Sequence, residues 1–231
     1  MWLSKRKIKE LCDVYTDEEI LISDTVQIYS KIEIYGKVRI DDFVKISAPL
    51  ILIGYNHISS FCCLSGQKTI VMKEFSGLSS HCQLFTSSDN YTETLTNPTV
   101  PDAYKNIIHS GIILGKHVIV GANSVLLPGV VCNNFSSVGA MSLVKEDVSE
   151  GWMVAGIPAT KIKQREVKSI KYYEKILKKQ GVSCFECPNC GTNDNTIYKY
   201  TCLQTQGLPD VEQYHNTQSF PDWCPKYRIG E

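Results

Sequence analysis

Aliphatic residues recur at every sixth position over two long stretches of this chain. The first stretch carries two series offset by two residues: Ile22, Ile28, Ile34, Ile40, Ile46 and Leu52, and Ile20, Val26, Ile32, Val38, Val44 and Leu50. The second stretch, after residue 111, carries Leu114, Val120, Leu126, Cys132, Val138 and Val144, accompanied by Ile112, Val118, Ser124, Val130, Ser136 and Ser142. A six-residue period matches neither an α-helix nor a long alternating strand, and it is typical of a solenoid of short parallel strands.

Each hexad reads as apolar, any residue, apolar, and then three residues that turn the chain. The alternation predicts a short strand with two inward side chains. Turn-tolerant residues follow the second apolar position, as at Gly115, Gly121, Asn133 and Gly139. A β-sandwich of many short strands is the alternative, but it would not keep so strict a period. The sequence therefore predicts a mainly β fold, with a parallel β-helix over residues 20–159.

Two interruptions divide the repeat. Near Gly54 and Tyr55 the register slips by two residues, which a short insertion at a corner explains. Between residues 85 and 111 the hexads stop, and the segment is rich in Thr, Ser, Asn and Pro. We interpret it as a loop extruded from one corner, and long loops in compact domains are usually functional.

The remaining segments read as appendages. Residues 1–19 predict a cap with a short amphipathic helix, and residues 160–181 predict a second amphipathic helix. The tail, residues 182–231, contains Cys184, Cys187 and Cys190 in a spacing found in zinc knuckles, but a second close cysteine pair is missing. A zinc site and a solvated or subunit-packing tail both remain open. On or beside the hexad columns, Cys62, Cys63, Cys82 and Cys132 read as reduced core residues.

Composition narrows the class of protein. The chain has 231 residues, 43% of them apolar, with 24 basic and 24 acidic residues. Zero net charge argues against a general nucleic-acid binder. No apolar run reaches membrane-spanning length, and the N-terminus lacks the apolar core of a signal peptide, so we expect no membrane partner and a cytoplasmic location.

The segment from Ile112 to Ala159 resembles the hexapeptide-repeat acyltransferases. It contains IILGKHVIVGANSVLLPGV, then GAMSLVKED, then AGIPA, in the order that this family shows. The resemblance covers residues 20–165. It implies that the β-helix is left-handed, that the protein is a homotrimer, and that acetyl-coenzyme A is the donor, with no metal required for catalysis.

The loop carries a narrower resemblance, to enzymes that acetylate sugars in surface-polysaccharide pathways. The matching motifs are Ser88-Asp89-Asn90-Tyr91 and, from Asn97 to Tyr104, NPTVPDAY. This resemblance implies an acceptor-binding role for Asn90, Tyr91 and Tyr104. Similar O-acetyltransferases place a histidine base in this loop, at the position held here by Asp89. In similar enzymes that acetylate nucleotide-linked amino sugars, an aspartate in the loop and a serine ten residues before it, here Ser79, contact the amine.

The aspartate favours an amine acceptor over a hydroxyl. A hydroxyl is a poor nucleophile at neutral pH and gains greatly from a base such as histidine. An unprotonated amine is already nucleophilic, and it needs mainly positioning and an acceptor for its proton. A carboxylate meets both needs, so we expect an N-acetyltransferase acting on a dTDP- or UDP-linked amino sugar. Asp89 could instead only cap a turn, because Ser-Asp-Asn is a turn composition.

Two other functions remain open. His81 lies on the coil from which the loop leaves and is a candidate catalytic or acceptor-binding residue. With His81 or His109 as base, the chain would be a sugar or xenobiotic O-acetyltransferase. A catalytically silent β-helix that serves as a scaffold would not need the long loop.

The donor site is expected where small residues stack. Gly121-Ala122 and Gly139-Ala140 are eighteen residues apart, one full coil, so they share a corner. Small side chains would let pantetheine approach the backbone, and Lys145 and Lys161 would lie near the phosphates. The same glycines also suit tight corners. We expect a larger side chain at Gly139 or Ala122 to fill this groove with little effect on the fold.

Overall fold

The computed structural model describes residues 1–92 and 94–179, in two units that divide after Arg165. The first unit is a β-solenoid, and the described residues of the second form one helix. In chain order the elements are α1 (Lys5–Leu11), β1 (Asp13–Val14), β2 (Ile20–Ile22), β3 (Gln27–Ile28), β4 (Ile32–Ile34), β5 (Val38–Ile40), β6 (Lys45–Ile46), β7 (Leu50–Leu52), β8 (Asn56–Ile58), β9 (Cys63–Ser65), β10 (Ile70–Met72), β11 (Gly77–Leu78), β12 (Gln83–Phe85), β13 (Ser87–Asp89), a 3₁₀ turn (Asp102–Tyr104), β14 (Ile107–His109), β15 (Ile112–Leu114), β16 (Ile119–Val120), β17 (Val125–Leu126), β18 (Val131–Cys132), β19 (Ser137–Val138), β20 (Leu143–Val144), β21 (Trp152–Gly156), β22 (Ala159–Gln164) and α2 (Val167–Lys179).

Three sheets form the faces of the solenoid, and each successive strand belongs to the next face. Sheet 1 has the order β1-β4-β7-β10-β15-β18, sheet 2 has β2-β5-β8-β11-β16-β19-β21-β22, and sheet 3 has β20-β17-β12-β9-β6-β3. All pairs inside these sheets are parallel except the terminal β21-β22 hairpin. The hexapeptide-repeat β-helix predicted from the sequence is confirmed. We call the three edges corner 1–2, corner 2–3 and corner 3–1.

The hexad residues form the core. Their side chains are fully or almost fully buried along the whole stack, including Ile22, Ile34, Leu52, Leu64, Ile70 and Leu126. Burying one such side chain contributes about 1.5–3 kcal/mol. Cys62, Cys82 and Cys132 are free and buried in the same columns, whereas Cys63 points outward and is half-buried. Burial raises the pKa of the Cys132 thiol to about 12, so this side chain stays neutral in the core.

Both ends of the solenoid carry additional elements. At the start, the Ser4 hydroxyl accepts a hydrogen bond from the Lys7 amide and caps α1, whose Ile8 is buried in the core. At the other end, the expected helix over 160–181 needs correction, because residues up to Gln164 form β22 and pair with β21. The helix α2 begins only at Val167. The cysteine-containing tail, residues 182–231, lies outside the described residues.

Aromatic residues at the corners adopt a left-handed backbone that such side chains rarely take. Phe61, Phe75, His81, His117 and Phe135 have φ between 58° and 64°. Their rings stack on the coil above or below, with centroids 4.7 Å apart for Phe75–His117 and 5.1 Å apart for His117–Phe135. Ring stacking of this kind offsets the cost of the backbone conformation.

The register slip is an insertion that a buried side chain stabilises. Gly54 and Tyr55 both have positive φ, which lets the chain bulge at corner 1–2. Buried Asn56 holds the bulge, because its Oδ1 accepts from the Gly54 amide at 2.8 Å and its Nδ2 donates to the Lys73 carbonyl at 2.9 Å. The column continues above this point, with Ile58 pairing beneath Leu78.

Glycines at the corners should be irreplaceable where the next coil lies close. A Cβ on Gly115 would lie 2.6 Å from the backbone nitrogen of Asn134, whereas a Cβ on Gly77 would meet its nearest atom only at 3.4 Å. We expect Gly115→Ala to lower the free energy of unfolding by about 1–3 kcal/mol, as overpacking usually does. Thermal unfolding of both variants checks this, with Gly77→Ala as the matched control. Equal melting temperatures for Gly115→Ala and wild type would contradict it.

Candidate functional site

Corner 2–3 aligns the residues predicted for the donor and for the acceptor serine. Ser79, Gly121 and Gly139 occupy equivalent positions on successive coils. The Ser79 amide donates to Val120 O at 2.9 Å, and the Gly121 amide donates to Val138 O at 2.8 Å. Ser79, Gly121-Ala122 and Gly139-Ala140 therefore form one continuous line parallel to the stack.

Buried side chains behind this corner fix its carbonyl groups. The Cys62 thiol donates to Ser79 O at 3.1 Å, the Cys82 thiol to Gly121 O at 3.2 Å, and the Ser142 hydroxyl to Gly139 O at 2.7 Å. The neighbouring Cys82 thiol and burial together raise the pKa of the Cys62 thiol well above its usual range, so it remains a donor. The sequence identified these cysteines as core residues but gave no signal for this role.

The glycines of this corner face the next coil, which corrects one expectation. A Cβ on Gly139 would lie 2.8 Å from the Ala155 Cβ, and one on Gly121 would lie 2.4 Å from the Ala140 nitrogen. A larger side chain at Gly139 would therefore disturb the fold and would not simply fill a groove. Ala122 is half-buried and Ala140 exposed, so these two residues can be enlarged to test the groove.

The two predicted phosphate-binding lysines lie at different places. Lys161 is on β22, opposite Val154 at the end of sheet 2, and its ammonium lies 4.9 Å from the centre of the Trp152 ring. This strand pairing places Lys161 near the end of the corner 2–3 line. Lys145 follows β20 at corner 3–1, where its Nζ is 3.7 Å from a Glu146 carboxylate oxygen. Lys145 therefore lies one strand, β20, away from corner 2–3 of the same chain.

Asp89 lies on a two-stranded ribbon that leaves the solenoid at corner 3–1. The ribbon pairs β13 with β14 antiparallel, so the loop has regular structure at its base. Asp89 lies opposite Ile107 and is half-buried. Its Oδ2 accepts from the Asn97 amide at 3.4 Å. Because that contact is long, the carboxylate retains acceptor capacity for a ligand.

His109 shares the ribbon face of Asp89. Ser87 and Asp89 are two residues apart on β13, so their side chains lie on the same face of the ribbon. Their pairing partners, His109 and Ile107 respectively, lie on that face too. The Ser87 hydroxyl accepts from the Gln67 amide at 3.0 Å and lies 2.7 Å from His109 Nδ1. This contact involves only the Nδ1 atom of the His109 ring. Sequence reasoning placed His109 where the loop returns, but the strand pairing that sets its face is long-range.

One chain does not bring Asp89 together with Ser79 and His81. His81 lies at corner 2–3, exposed, with its ring stacked 4.9 Å from that of Phe61. The strand β12 runs from this corner to corner 3–1, where the ribbon begins. At about 3.3 Å per residue the two corners are roughly 15 Å apart. The predicted acceptor residues therefore form two separate walls.

The loop itself brings together the other predicted acceptor residues. Tyr91 and Tyr104 line a pocket of about 450 Å³. Asn90 adjoins it, and its Oδ1 accepts from the Thr92 amide and hydroxyl at 3.1 and 2.8 Å, which orders the turn.

Among residues 1–92 and 94–179, no cluster of three or more His, Cys, Asp or Glu side chains is arranged to hold a metal ion. In the same described part of the chain, no helix combines the length and apolar character needed to cross a membrane.

A curated protein is similar in sequence over most of the chain. It is the dTDP-4-amino-4,6-dideoxy-D-glucose acyltransferase of Escherichia coli, 33% identical over 177 residues, which are 74% of this chain and 92% of that protein. No protein-family model matches the chain.

Solved structures of AntD, an N-acyltransferase from Bacillus cereus, have the same fold. A complex with dTDP and 3-hydroxybutyryl-CoA is 34% identical, with a TM-score of 0.69 over 77% of this chain and 97% of that one. A variant in complex with dTDP-4-amino-4,6-dideoxyglucose and coenzyme A is 33% identical, with a TM-score of 0.70 over 77% of this chain and 98% of that one. Other AntD structures carry substitutions of a serine or of an aspartate ten positions after it. The same spacing separates Ser79 from Asp89.

The donor groove can be tested at the exposed small residue of corner 2–3. We expect Ala140→Leu to weaken coenzyme A binding at least about tenfold, because an added side chain of this size would displace contacts worth 1.4 kcal/mol or more. Titration calorimetry measures the affinity, and a melting curve checks the fold. Ser60→Leu, at the same corner three coils earlier, is the matched control. Unchanged affinity in a folded Ala140→Leu protein would remove this corner from the donor site.

Proposed function

The chain belongs to the hexapeptide-repeat acyltransferases, in the same family as the dTDP-4-amino-4,6-dideoxy-D-glucose acyltransferase of Escherichia coli, and from that premise we propose its reaction. It transfers an acyl group from acyl-coenzyme A to the amino group of a dTDP-linked amino sugar. The observation that carries the proposal is similarity over 92% of that relative, combined with an aspartate on the loop where a histidine base would serve a hydroxyl acceptor.

The donor is an acyl-coenzyme A, held along corner 2–3. The AntD complexes with coenzyme A and with 3-hydroxybutyryl-CoA support a coenzyme A thioester as cosubstrate. Acetyl is the acyl group that the sequence resemblance implies. The backbone of Ser79, Gly121 and Gly139, fixed from behind by buried donors, offers an ordered wall for the narrow pantetheine chain.

Asp89 receives the acceptor amine. The carboxylate orients the unprotonated amine towards the thioester carbon, and its negative charge stabilises the positive charge that develops on nitrogen as the C–N bond forms. The C–S bond then breaks, the nitrogen gives up one proton, and coenzyme A leaves as its thiol. Ser79 lies at the start of the donor line, where its hydroxyl can contact the same amine. The serine-to-aspartate spacing shared with the AntD variants supports this pair.

The separation of the two walls leads us to propose a homotrimer whose sites lie between protomers. Sheet 1 supports the association, since it carries an outward ladder of Ile51, Val71, Ile113 and Val131 in register. Ile113 is 36% exposed despite being apolar. This face adjoins corner 3–1, so packing it on a neighbour would bring the loop of one protomer towards corner 2–3 of the next.

Location and pathway follow from the cosubstrates. Acyl-coenzyme A and nucleotide sugars are charged nucleotides that do not cross a membrane unaided, so we place the reaction in the cytoplasm. An N-acylated nucleotide sugar is a suitable precursor for a surface glycan.

Asp89→Asn tests the reaction. With acetyl-CoA and dTDP-4-amino-4,6-dideoxyglucose, we expect turnover to fall roughly ten- to a hundredfold, because a charge-assisted hydrogen bond worth about 1.5–3 kcal/mol is lost in the transition state. Coenzyme A affinity should not change. Ser79→Ala should cause a smaller loss, since it removes a neutral partner. Steady-state kinetics on the amine and on the corresponding 4-hydroxy sugar give both comparisons.

The rival reaction has its own signature in the same assay. Suppose that wild type acylates the hydroxy sugar as fast as the amino sugar, that His81→Ala or His109→Ala abolishes this activity, and that Asp89→Asn retains it. The protein is then an O-acyltransferase with a histidine base. A folded protein that binds coenzyme A but acylates neither sugar would contradict acyl transfer to this acceptor class.

Mixed oligomers test the shared site. Asp89→Asn retains an intact Ser79 corner, and Ser79→Leu retains an intact loop while blocking the corner. If each site takes one wall from each of two protomers, co-expressed variants should recover about a quarter of the wild-type sites, whereas each variant alone stays low. Light scattering should give three times the chain mass. A monomer with full activity, or no recovery in a verified mixed trimer, would contradict the shared site.

A further inference from the structure

The helix α2 has a polar face that is rich in positive charge. Its sequence, from Val167 to Lys179, is VKSIKYYEKILKK. Within it, Lys168, Lys171, Lys175 and Lys178 follow one another at intervals of three and four residues, so they lie in one row along the helix. All four lysines of this row are exposed. The proposed acyl transfer uses none of them.

The opposite side of the same helix is apolar and partly exposed. With about 3.6 residues per turn, the side away from the lysine row carries Ile170, Tyr172, Tyr173, Ile176 and Leu177. Tyr173 is 61% exposed and Leu177 is 41% exposed, whereas the other three are half-buried. Neighbouring apolar side chains that are exposed in this way indicate a surface that a partner covers.

The excess of positive charge distinguishes α2 from an ordinary surface helix. The polar face of a solvated helix usually mixes both signs of charge. In α2 one carboxylate, that of Glu174, stands against the four lysines of the row. Its Oε1 lies 2.9 Å from Lys178 Nζ. This pair neutralises only part of the row, so the face keeps a positive excess.

A phospholipid surface with a net negative charge matches both sides of α2. A basic amphipathic helix lies in the plane of such a surface, with its apolar side at the boundary between headgroups and acyl chains. Tyrosine suits this boundary because its ring is apolar and its hydroxyl is polar. Long lysine side chains can place their ammonium groups among the lipid phosphates. A nucleic acid would match the charge but offers no apolar layer.

The length of α2 fits a helix that lies on a membrane and does not cross it. Its 13 residues span roughly 20 Å, which is shorter than a hydrocarbon core of about 30 Å. This agrees with the finding that no helix among the described residues could cross a membrane. The expectation of no membrane partner rested on the lack of a spanning segment, and a helix on the surface needs none.

We propose that α2 attaches this protein reversibly to a membrane surface that contains anionic phospholipid. Tyr173 and Leu177 enter the headgroup boundary, and the lysine row contacts lipid phosphates. The inference is independent of the proposed function, because it uses no residue of the acyl-transfer site.

Vesicle cosedimentation of the full chain tests the partner. We expect the protein to sediment at low salt with vesicles made of phosphatidylglycerol and phosphatidylcholine. It should stay in solution with vesicles of phosphatidylcholine alone, because these carry no net charge. Salt at about 1 M should release it from the anionic vesicles, since the Debye length then falls to about 3 Å.

Two glutamine variants separate the charged side of α2 from its apolar side. Lys168→Gln combined with Lys175→Gln should weaken binding to the anionic vesicles roughly twentyfold, because each lysine near such a surface contributes about fivefold. Leu177→Gln should weaken it about tenfold or more, because the burial of an apolar side chain is lost. Glutamine preserves helix propensity in both variants. Lys5→Gln combined with Lys9→Gln, two exposed lysines on α1, is the matched control.

Several other results would overturn the proposal. Lack of binding to anionic vesicles, or equal binding to phosphatidylcholine alone, would rule out recognition of anionic lipid. An equal loss in the α1 control would mean that the charge of the whole chain acts. Unchanged binding of Leu177→Gln, with displacement of the protein by an RNA oligonucleotide, would indicate a general polyanion site. A smaller particle mass for Leu177→Gln in light scattering would show that a second copy of the chain covers the apolar side.

Acyl-transfer kinetics in buffer without vesicles keep this proposal separate from the proposed function. The variants on α2 should acylate the nucleotide sugar at the wild-type rate, because they leave the site intact. A loss of activity in these folded variants would place α2 in the acyl-transfer site and contradict the surface role. A wild-type protein that binds anionic vesicles but acylates no sugar would contradict only the proposed function.

Discussion

The spacing between successive coils, held at about 4.8 Å by parallel backbone hydrogen bonds, is the constraint on which this structure depends. Within the stack, a corner residue has neighbours on the coils above and below it at that distance. Flat rings suit this spacing, as the 4.7 Å stack of Phe75 and His117 illustrates. Glycine is needed where a Cβ would touch the next backbone, as at Gly115 and Gly121. The same regular rise places Ser79, Gly121 and Gly139 in one line, so the elongated wall to which we assign the thioester cosubstrate follows from the repetition itself.

Much of the fold could be predicted because inward positions follow directly from the hexads. Residues such as Ile34, Leu52 and Leu126 are buried as their spacing requires. The corners were harder to predict. Their glycines were recognisable, but the sequence alone suggested space for a ligand at Gly139, whereas the structure shows a close approach to Ala155. The aromatic stack was not anticipated, because the insertion near Gly54 and the long loop interrupt its spacing. The local spacing of apolar residues favours a helix at residues 160–164, because strand pairing with β21 is not visible in a local period.

The candidate site, like the fold, could be predicted from the sequence only in part. The shared corner of Gly121-Ala122 and Gly139-Ala140 follows from an eighteen-residue separation, and the stacking of Ser79 beneath them follows once the loop is discounted. The loop has no period, so the face shared by Asp89 and His109 depends on a long-range antiparallel pairing. The proposed second protomer rests on the distance between Ser79 and Asp89 within one chain, and one chain's sequence cannot specify how such a neighbour would pack.

The most direct measurement is a crystal structure of the protein with coenzyme A and dTDP-4-amino-4,6-dideoxyglucose bound together. The account predicts that coenzyme A lies along corner 2–3 of one protomer, with its sulfur near Ser79, and that the sugar amine contacts Asp89 of a neighbouring protomer. A sugar amine bound away from Asp89, or a coenzyme A molecule that makes no contact with corner 2–3, would contradict it.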